Sequence, residues 1–327
     1  MSREDMGLKA KGKNQGMQAL PHRKPIGKVI RDNRILILMC LPAALFFIIF
    51  FYCPLPGIYI AFTNYNFRDG IFGSPFVGFK NFEFLIKSGQ LWALTRNTVL
   101  YNLAFILLGN VLQIILAIMV NEIRCSWFKK VSQTIMFLPY FISAVLIGVL
   151  AFNILNYDTG ALNTLIRSAG ANPVKIYSMA GIWPFIIILC NIWQQTGYGS
   201  IVYFASICGI DSQIIEAAEV DGATSWQRIR YIILPSLKPT FIILMLFALG
   251  GIMKGNFGLF YNLIGPANSQ LFPKTDIIET FVFRTMMNQN NFATSSAVGL
   301  YQSVFGFILV MFSNWVVRKI DPDYALF

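Results

Sequence analysis

Asn191, Gln194, Gln195 and Tyr198 follow one another at i, i+3, i+4 and i+7, in a stretch free of Asp, Glu, Lys and Arg from Ile176 to Ile210. On a helix that spacing is one polar stripe, which should face the protein interior. Carboxamides both donate and accept, and the ring of Trp193 or Tyr198 offers a flat apolar surface. Together they suit the hydroxyls and the C–H face of a pyranose. The same residues equally suit hydrogen bonds between membrane helices. A thinner stripe, Asn102, Asn110 and Gln113, carries the same two readings. Lys254 also carries two. It can snorkel to the headgroups, or it can set a fixed positive charge on a cavity lined by helix broken at Gly251, Gly255 and Asn256. The second reading favours anionic sugars such as uronate-containing oligosaccharides.

Catalytic chemistry finds little material. Gly7 to Asn14, "GLKAKGKN", follows a P-loop for seven positions, but Asn14 stands where Ser or Thr would hold magnesium, and no strand precedes it. Asp158-Thr159-Gly160 resembles half of an aspartic protease dyad and has no second half, so it reads as a turn. The single histidine, His22, lies in a basic tail. Cys40, Cys53, Cys125, Cys190 and Cys208 are scattered through apolar runs without the paired spacing of a disulfide framework or metal site. No metal, no bound cofactor and no enzymatic activity are expected of this chain.

The elements that position these residues are membrane spans. Fifty-six per cent of the 327 residues are apolar or aromatic and 13% are charged, against about 25% charged in soluble domains. No Asp, Glu, Lys or Arg lies between Arg34 and Arg68, Arg96 and Glu122, Lys130 and Asp158, Lys175 and Asp211, or Arg284 and Arg318. Each gap holds the roughly 20 residues that cross ~30 Å of hydrocarbon. A sixth run, Thr240 to Met253, is short and stops at Lys254. The expectation is an all-α integral membrane protein with six transmembrane helices. The apolar run from Ile35 is full span length and lacks a small-x-small exit, so it should remain as an anchor.

Orientation follows Lys and Arg. With both termini and every second loop in the cytoplasm, 17 of these residues fall inside and nine outside. The net charge of +11 is then explained by topology and anionic lipid, without nucleic acid. The chain divides into a basic cytoplasmic tail (1–34), a first span with an extracytoplasmic loop (35–97), a five-helix core (98–317) and a cytoplasmic C-terminal tail (318–327). The loop from about 64 to 96, rich in Gly, Phe and Asn, should be ordered at the membrane interface.

Within the core, 211–238 interrupts two apolar stretches with most of the local charge. Asp211 can cap a helix with a stripe of Ile214, Ala217 and Ala218. Glu216 and Glu219 lie on an adjacent face, and Gly222 can end the helix. A second short helix can start at Thr224 or Ser225, before Leu234-Pro235 and Pro239 open the next span. That describes a compact cytoplasmic helix-turn-helix, or an amphipathic loop lying on the membrane.

The run Glu216-Ala217-Ala218, three residues, Gly222, nine residues, Ile232, one residue, Leu234-Pro235 resembles the signature loop of ATP-binding-cassette importer membrane subunits. "NIWQQTGYGSIVYFASICGID" (191–211), "TDIIETFVFR" (275–284), "SAVGLYQSVFGFILVMFSNWVVRKIDPDYALF" (296–327) and the extra first span resemble one branch, the permeases of polysaccharide and aldouronate uptake related to the maltose system. The resemblance covers about residues 35–327. It implies a type I importer permease core with one extra N-terminal helix and a cytoplasmic coupling helix, in the bacterial cytoplasmic (inner) membrane. Glu216, Ala217, Ala218, Asp221, Gly222, Leu234 and Pro235 would then engage a separate ATPase dimer, which holds ATP and magnesium. The other implied partners are a second homologous permease subunit, an extracytoplasmic solute-binding protein and an oligosaccharide, with acidic sugars among the candidates. An ion-coupled sugar carrier or channel acting without an ATPase is the alternative. It lacks the usual device, because none of the 15 Asp and Glu residues lies in an expected span.

Overall fold

A computed structural model describes residues 32–320 of the chain. The P-loop-like run, His22 and most of both tails lie outside these residues. Among the described residues the fold is all-helical, apart from an isolated antiparallel bridge between Thr63 and Phe76. The chain divides into two compact units at Pro56/Gly57.

In the first unit, α1 (Arg34–Phe47) runs into a wide turn at Ile48–Tyr52. None of the residues of α1 is buried. A helix apolar all round with no buried face is matched to lipid. The helical stretch Arg34–Phe62 is long and apolar enough to cross a membrane.

The second unit holds the rest. Its long helices are α2 (Gln90–Glu122), α3 (Ser126–Phe137), α4 (Ala144–Leu155) and α5 (Trp183–Cys208). Two short helices follow, α6 (Ser212–Val220) and α7 (Ser225–Arg228). Then come α8 (Leu234–Gly250), α9 (Phe257–Ile264), α10 (Ile278–Met287) and α11 (Phe292–Ile320). Four continuous helices qualify as spans, and two bent pairs raise the count to six: the α3–α4 segment, bent by 92°, and α5 with α6, bent by 72°. At about 1.5 Å per residue, α2 is ~50 Å long and projects beyond the hydrocarbon. Its start at Gln90 places Arg96 inside the helix, so the charge gap marked the apolar part of the span and not its end.

The fifth span differs from the sequence expectation. The helix is continuous from Ser225 to Gly250, so Leu234-Pro235 lies within it and the span is not short. The reason is a wide turn at Ile229–Ile233, where the Leu234 N–H reaches back five residues to the Ile229 carbonyl. That shift in the hydrogen-bond ladder accommodates a residue without an N–H just beyond it.

The central contact pairs α2 with α5. Gly197 of α5 passes so close to α3 that a Cβ there would overlap the Met136 carbonyl oxygen, the small-residue approach typical of membrane bundles. Tyr203 Oη donates to Asn110 Oδ1 at 2.6 Å in a buried setting, and Asn102 Nδ2 donates to the Thr98 and Ile252 carbonyls. In Asn102 and Asn110, therefore, the thinner polar stripe ties helices together.

The segment after the first span is ordered, as expected from its composition. Asn81 Nδ2 donates to the carbonyls of Ala61 and Thr63, and Ala61 and Leu85 are buried in one core cluster with Leu94, Ile252, Ile278 and Val298. This loop thus belongs to the larger unit. Asp158-Thr159-Gly160 is a turn closed by Asn156 Oδ1, which accepts from the Asp158 and Thr159 N–H groups. The five cysteines are free.

Candidate functional site

Between α5 and α8 the chain makes an elbow, each bend of which is closed by neighbouring residues. Asp211 caps α6 by accepting from the Gln213 N–H at 3.0 Å. At the other end Gly222 takes φ +81°. The Ala223 N–H reaches the Ala218 carbonyl at 2.9 Å and the Gly222 N–H reaches that of Glu219 at 3.1 Å. These two bonds are a Schellman closure, which requires the left-handed residue that glycine supplies. Thr224 then caps α7 in a reciprocal box with Gln227.

Arg228 sets the angle between the two short helices. Its guanidinium pairs with Glu219 of α6 and lies 3.8 Å from Glu122 at the end of α2. One cation thereby joins both arms of the elbow to the second span. Beneath it, Ile233 and Leu237 are buried with Ala117, Tyr203 and Ile207. The elbow is thus tied to the helices on either side of it.

Its outer side is uncommitted. Ile214, Val220 and Trp226 are exposed, Val220 to 88%. Glu216, Ala217, Asp221, Gly222, Leu234 and Pro235 are also exposed, while Ala218 is half-buried. Glu216 enters no ion pair among the described residues. Apolar side chains grouped around an unpaired carboxylate, on a framework closed by its own caps, form a surface suited to a protein partner.

The polar stripe of α5 divides between two fates. Asn191 and Gln194 are buried, and Gln194 Nε2 donates to the Ile142 carbonyl at 2.9 Å. Ile142 lies at the break between α3 and α4, where no helical donor is available, so this amide closes the kink. Gln195 is half-buried. Tyr198 and Trp193 remain open, and the Tyr198 ring stacks on Tyr140 at 4.3 Å with an interplanar angle of 10°. The stripe therefore contributes one structural amide and one aromatic platform. Tyr140 was missed in the sequence because it lies across a helix break from any periodic pattern.

Lys254 is exposed in the non-helical stretch between α8 and α9. Three polar contacts hold that break. The Gly255 N–H and Gln302 Nε2 both donate to Glu279 Oε1, at 2.6 and 2.7 Å, and Gln302 Nε2 also donates to the Met253 carbonyl at 2.6 Å. Nearby, Asp276 and Arg284 form a largely buried ion pair at 2.5 Å. The Arg284 guanidinium lies 3.9 Å from the Phe272 ring centre, and Asn97 Nδ2 donates to the Asp276 carbonyl. Sequence reasoning assigned none of these roles. Gln302, one of two amides with Asn314 in the apolar sixth span, was the available signal. Among the described residues no group of His, Cys, Asp and Glu can hold a metal ion.

Up to six candidate spans, with a capped elbow whose outer side is exposed, describe a multi-pass membrane protein. Residues 109–322 match the family described as binding-protein-dependent transport system inner membrane component, and the chain belongs to that family. It is 33% identical over 292 residues to the polygalacturonan/rhamnogalacturonan transport system permease protein YteP of Bacillus subtilis (strain 168), covering 89% of this chain and 90% of that one. It is also similar to a chain in the crystal structure of a bacterial ABC transporter involved in the import of the acidic polysaccharide alginate. That match has a TM-score of 0.82 at 32% identity and covers 91% of this chain and all of that one. A crystal structure of the bacterial alginate transporter in complex with an alginate pentasaccharide-bound periplasmic protein matches at 0.81 and 32%, covering 91% and 98%. The chain is thus a multi-pass inner-membrane permease of an ABC importer, and ATP hydrolysis belongs to a partner subunit. The family brings no cofactor to this chain, and membership sets aside the ion-coupled carrier.

Proposed function

We propose that this permease imports oligosaccharides, acidic ones among them, as one of two homologous membrane subunits. In this reading a cytoplasmic ATPase dimer holding ATP and magnesium docks on the elbow, and an extracytoplasmic binding protein delivers cargo at the opposite end. The observation that carries the docking assignment is the exposed Glu216 surface on a self-closed framework. Glu216, Ala217, Ala218, Asp221 and Gly222 form the contact, while Leu234 and Pro235 lead its motion directly into the fifth span. Cargo passes along α5, past Asn191, Trp193, Gln194, Gln195 and Tyr198, with Lys254 as a fixed charge near the outer end. The polygalacturonan and alginate named for similar proteins support acidic cargo. Both termini are cytoplasmic, by the distribution of Lys and Arg. The organisation is a tail to 34, a first span with its loop to 97, the core to 317 and a short tail beyond.

Cysteine labelling tests orientation and docking together. In an otherwise cysteine-free chain, Ser225→Cys should react with an impermeant maleimide only from the cytoplasmic face and be protected in the assembled complex. Labelling from outside overturns the orientation. Unchanged labelling on assembly overturns the docking assignment.

A further inference from the structure

At the end of the bundle opposite the elbow, an open cleft of about 470 Å³ lies between the loop that follows α4 and the loop that follows α9. Its walls are fixed by contacts that leave particular groups free. Arg167 donates to the carbonyls of Tyr157 and Asp158 at 2.6 and 2.7 Å, so its guanidinium is committed to the backbone. The Tyr157 ring lies 5.6 Å from that guanidinium and 5.2 Å from Lys175 Nζ. Asn268 Nδ2 holds the Tyr177 carbonyl at 2.9 Å, and Trp183 Nε1 holds that of Ile176 at 3.0 Å.

Three groups on this framework have no ion-pair or hydrogen-bond partner among the described residues, Lys175 touching only the Tyr157 ring. Lys175 is exposed and enters no ion pair among the described residues. The Tyr177 hydroxyl makes no hydrogen bond among the described residues, and burial, with the neighbouring Cys190 thiol adding to it, pushes its pKa up to about 12. Phe152, half exposed, presents an apolar ring 5.9 Å from that of Tyr177. One cation, one phenolic donor and one apolar ring match a single sugar ring bearing one carboxylate. A phosphate would require several cations or a nest of backbone N–H groups, and a neutral sugar would leave Lys175 unused.

We propose that this cleft is a binding subsite for one uronate unit of an acidic oligosaccharide, with Lys175 pairing the carboxylate, Tyr177 donating to a ring oxygen and Phe152 covering the C–H face. The inference rests on the acidic-cargo reading above and deepens it. The Tyr177 ring lies 4.9 Å from that of Trp183, the first residue of α5. Asn191 follows eight residues further on, about 12 Å along the helix. The cleft is thus placed as the first station for cargo before the polar face of α5.

The test uses the assembled importer in nanodiscs without binding protein. Tetragalacturonate and its fully methyl-esterified form are titrated and followed by saturation-transfer NMR. The acid should bind, and Lys175→Gln should weaken it about tenfold, the loss of one charge-assisted contact. The ester should bind weakly and equally to both proteins. Tyr177→Phe should weaken acid and ester alike, by about threefold. No binding of the acid, equal affinity for acid and ester, or an unchanged Lys175→Gln each overturns the subsite. A second readout separates this from the broader reading: stimulation of wild-type ATPase activity by binding protein loaded with tetragalacturonate. If stimulation is intact while Lys175→Gln binds normally, the subsite alone falls. If the wild type gives no stimulation, the acidic-cargo reading falls. If Lys175→Gln raises the half-saturating concentration of binding protein whatever its cargo, the cleft is a docking surface and the subsite is overturned.

Discussion

The chain reverses between spans at both ends of the bundle, and the two reversals are built from opposite chemistry. At the elbow, the caps at Asp211 and Thr224 and the closure at Gly222 use partners within five residues. Side chains such as Glu216, Val220 and Trp226 are left facing outward. At the far end, Asp276 pairs with Arg284, Glu279 with Gln302, and Asn97 reaches across 179 residues to the Asp276 carbonyl. There these particular side chains are bonded within the fold. The elbow's caps leave its outer side open while Arg228 alone ties it to Glu122 of the second span, whereas the far-end side chains bond mainly to one another and to backbone inside the core.

The contrast breaks most readily at the buried pair. Arg284→Met would leave Asp276 charged, 10% exposed and unpaired, a change that typically costs about 3–5 kcal/mol. Thermal unfolding of the purified complex should show a large loss, partly recovered by adding Asp276→Asn. An unaltered midpoint for the single variant would mean that the far end is not held by its side chains.

The elbow should respond in the opposite way. Glu216→Ala should leave the unfolding midpoint unchanged while reducing stimulated ATPase activity and transport, because losing one partner of a desolvated interface pair costs about 2–5 kcal/mol of association. Gly222→Leu should act similarly through geometry, since a side chain at φ +81° adds roughly 1–2 kcal/mol of backbone strain. Wild-type coupling in both variants would remove the docking role.

The smallest effect sharpens the comparison. Thr224→Ala deletes one half of the capping box, worth about 1 kcal/mol to the short helix. Coupling should decline partially with no change in the global midpoint. If the midpoint falls as much as the coupling does, the elbow is not independent of the core.

Much of this was legible in residue order, because the governing interactions are short. Span length depends only on the absence of charge over a stretch matched to the hydrocarbon, so the charge gaps located the apolar parts of the spans. The elbow's caps, Asp211, Gly222 and Thr224, sit within a few residues of the groups they satisfy, and their types announced them. The limits of the second and fifth spans were less visible. Arg96 lies inside a helix that outgrows the bilayer, and Pro235 lies inside one because a wide turn relocates the hydrogen bond it would have broken.

Periodicity placed Asn191, Gln194, Gln195 and Tyr198 on one helix face, but nothing in their spacing states what opposes that face. Only packing assigned Gln194 to the Ile142 carbonyl at a kink and Tyr198 to a stack on Tyr140. The same holds for the contacts of Glu279 with Gln302 and Tyr203 with Asn110, which join residues 23 and 93 positions apart. Apolar length and capping are properties of a segment alone and survive without its neighbours. Whether a polar side chain ends as glue, platform or free surface depends on which group the other helices bring within about 3 Å of it, and that is decided only when the bundle closes.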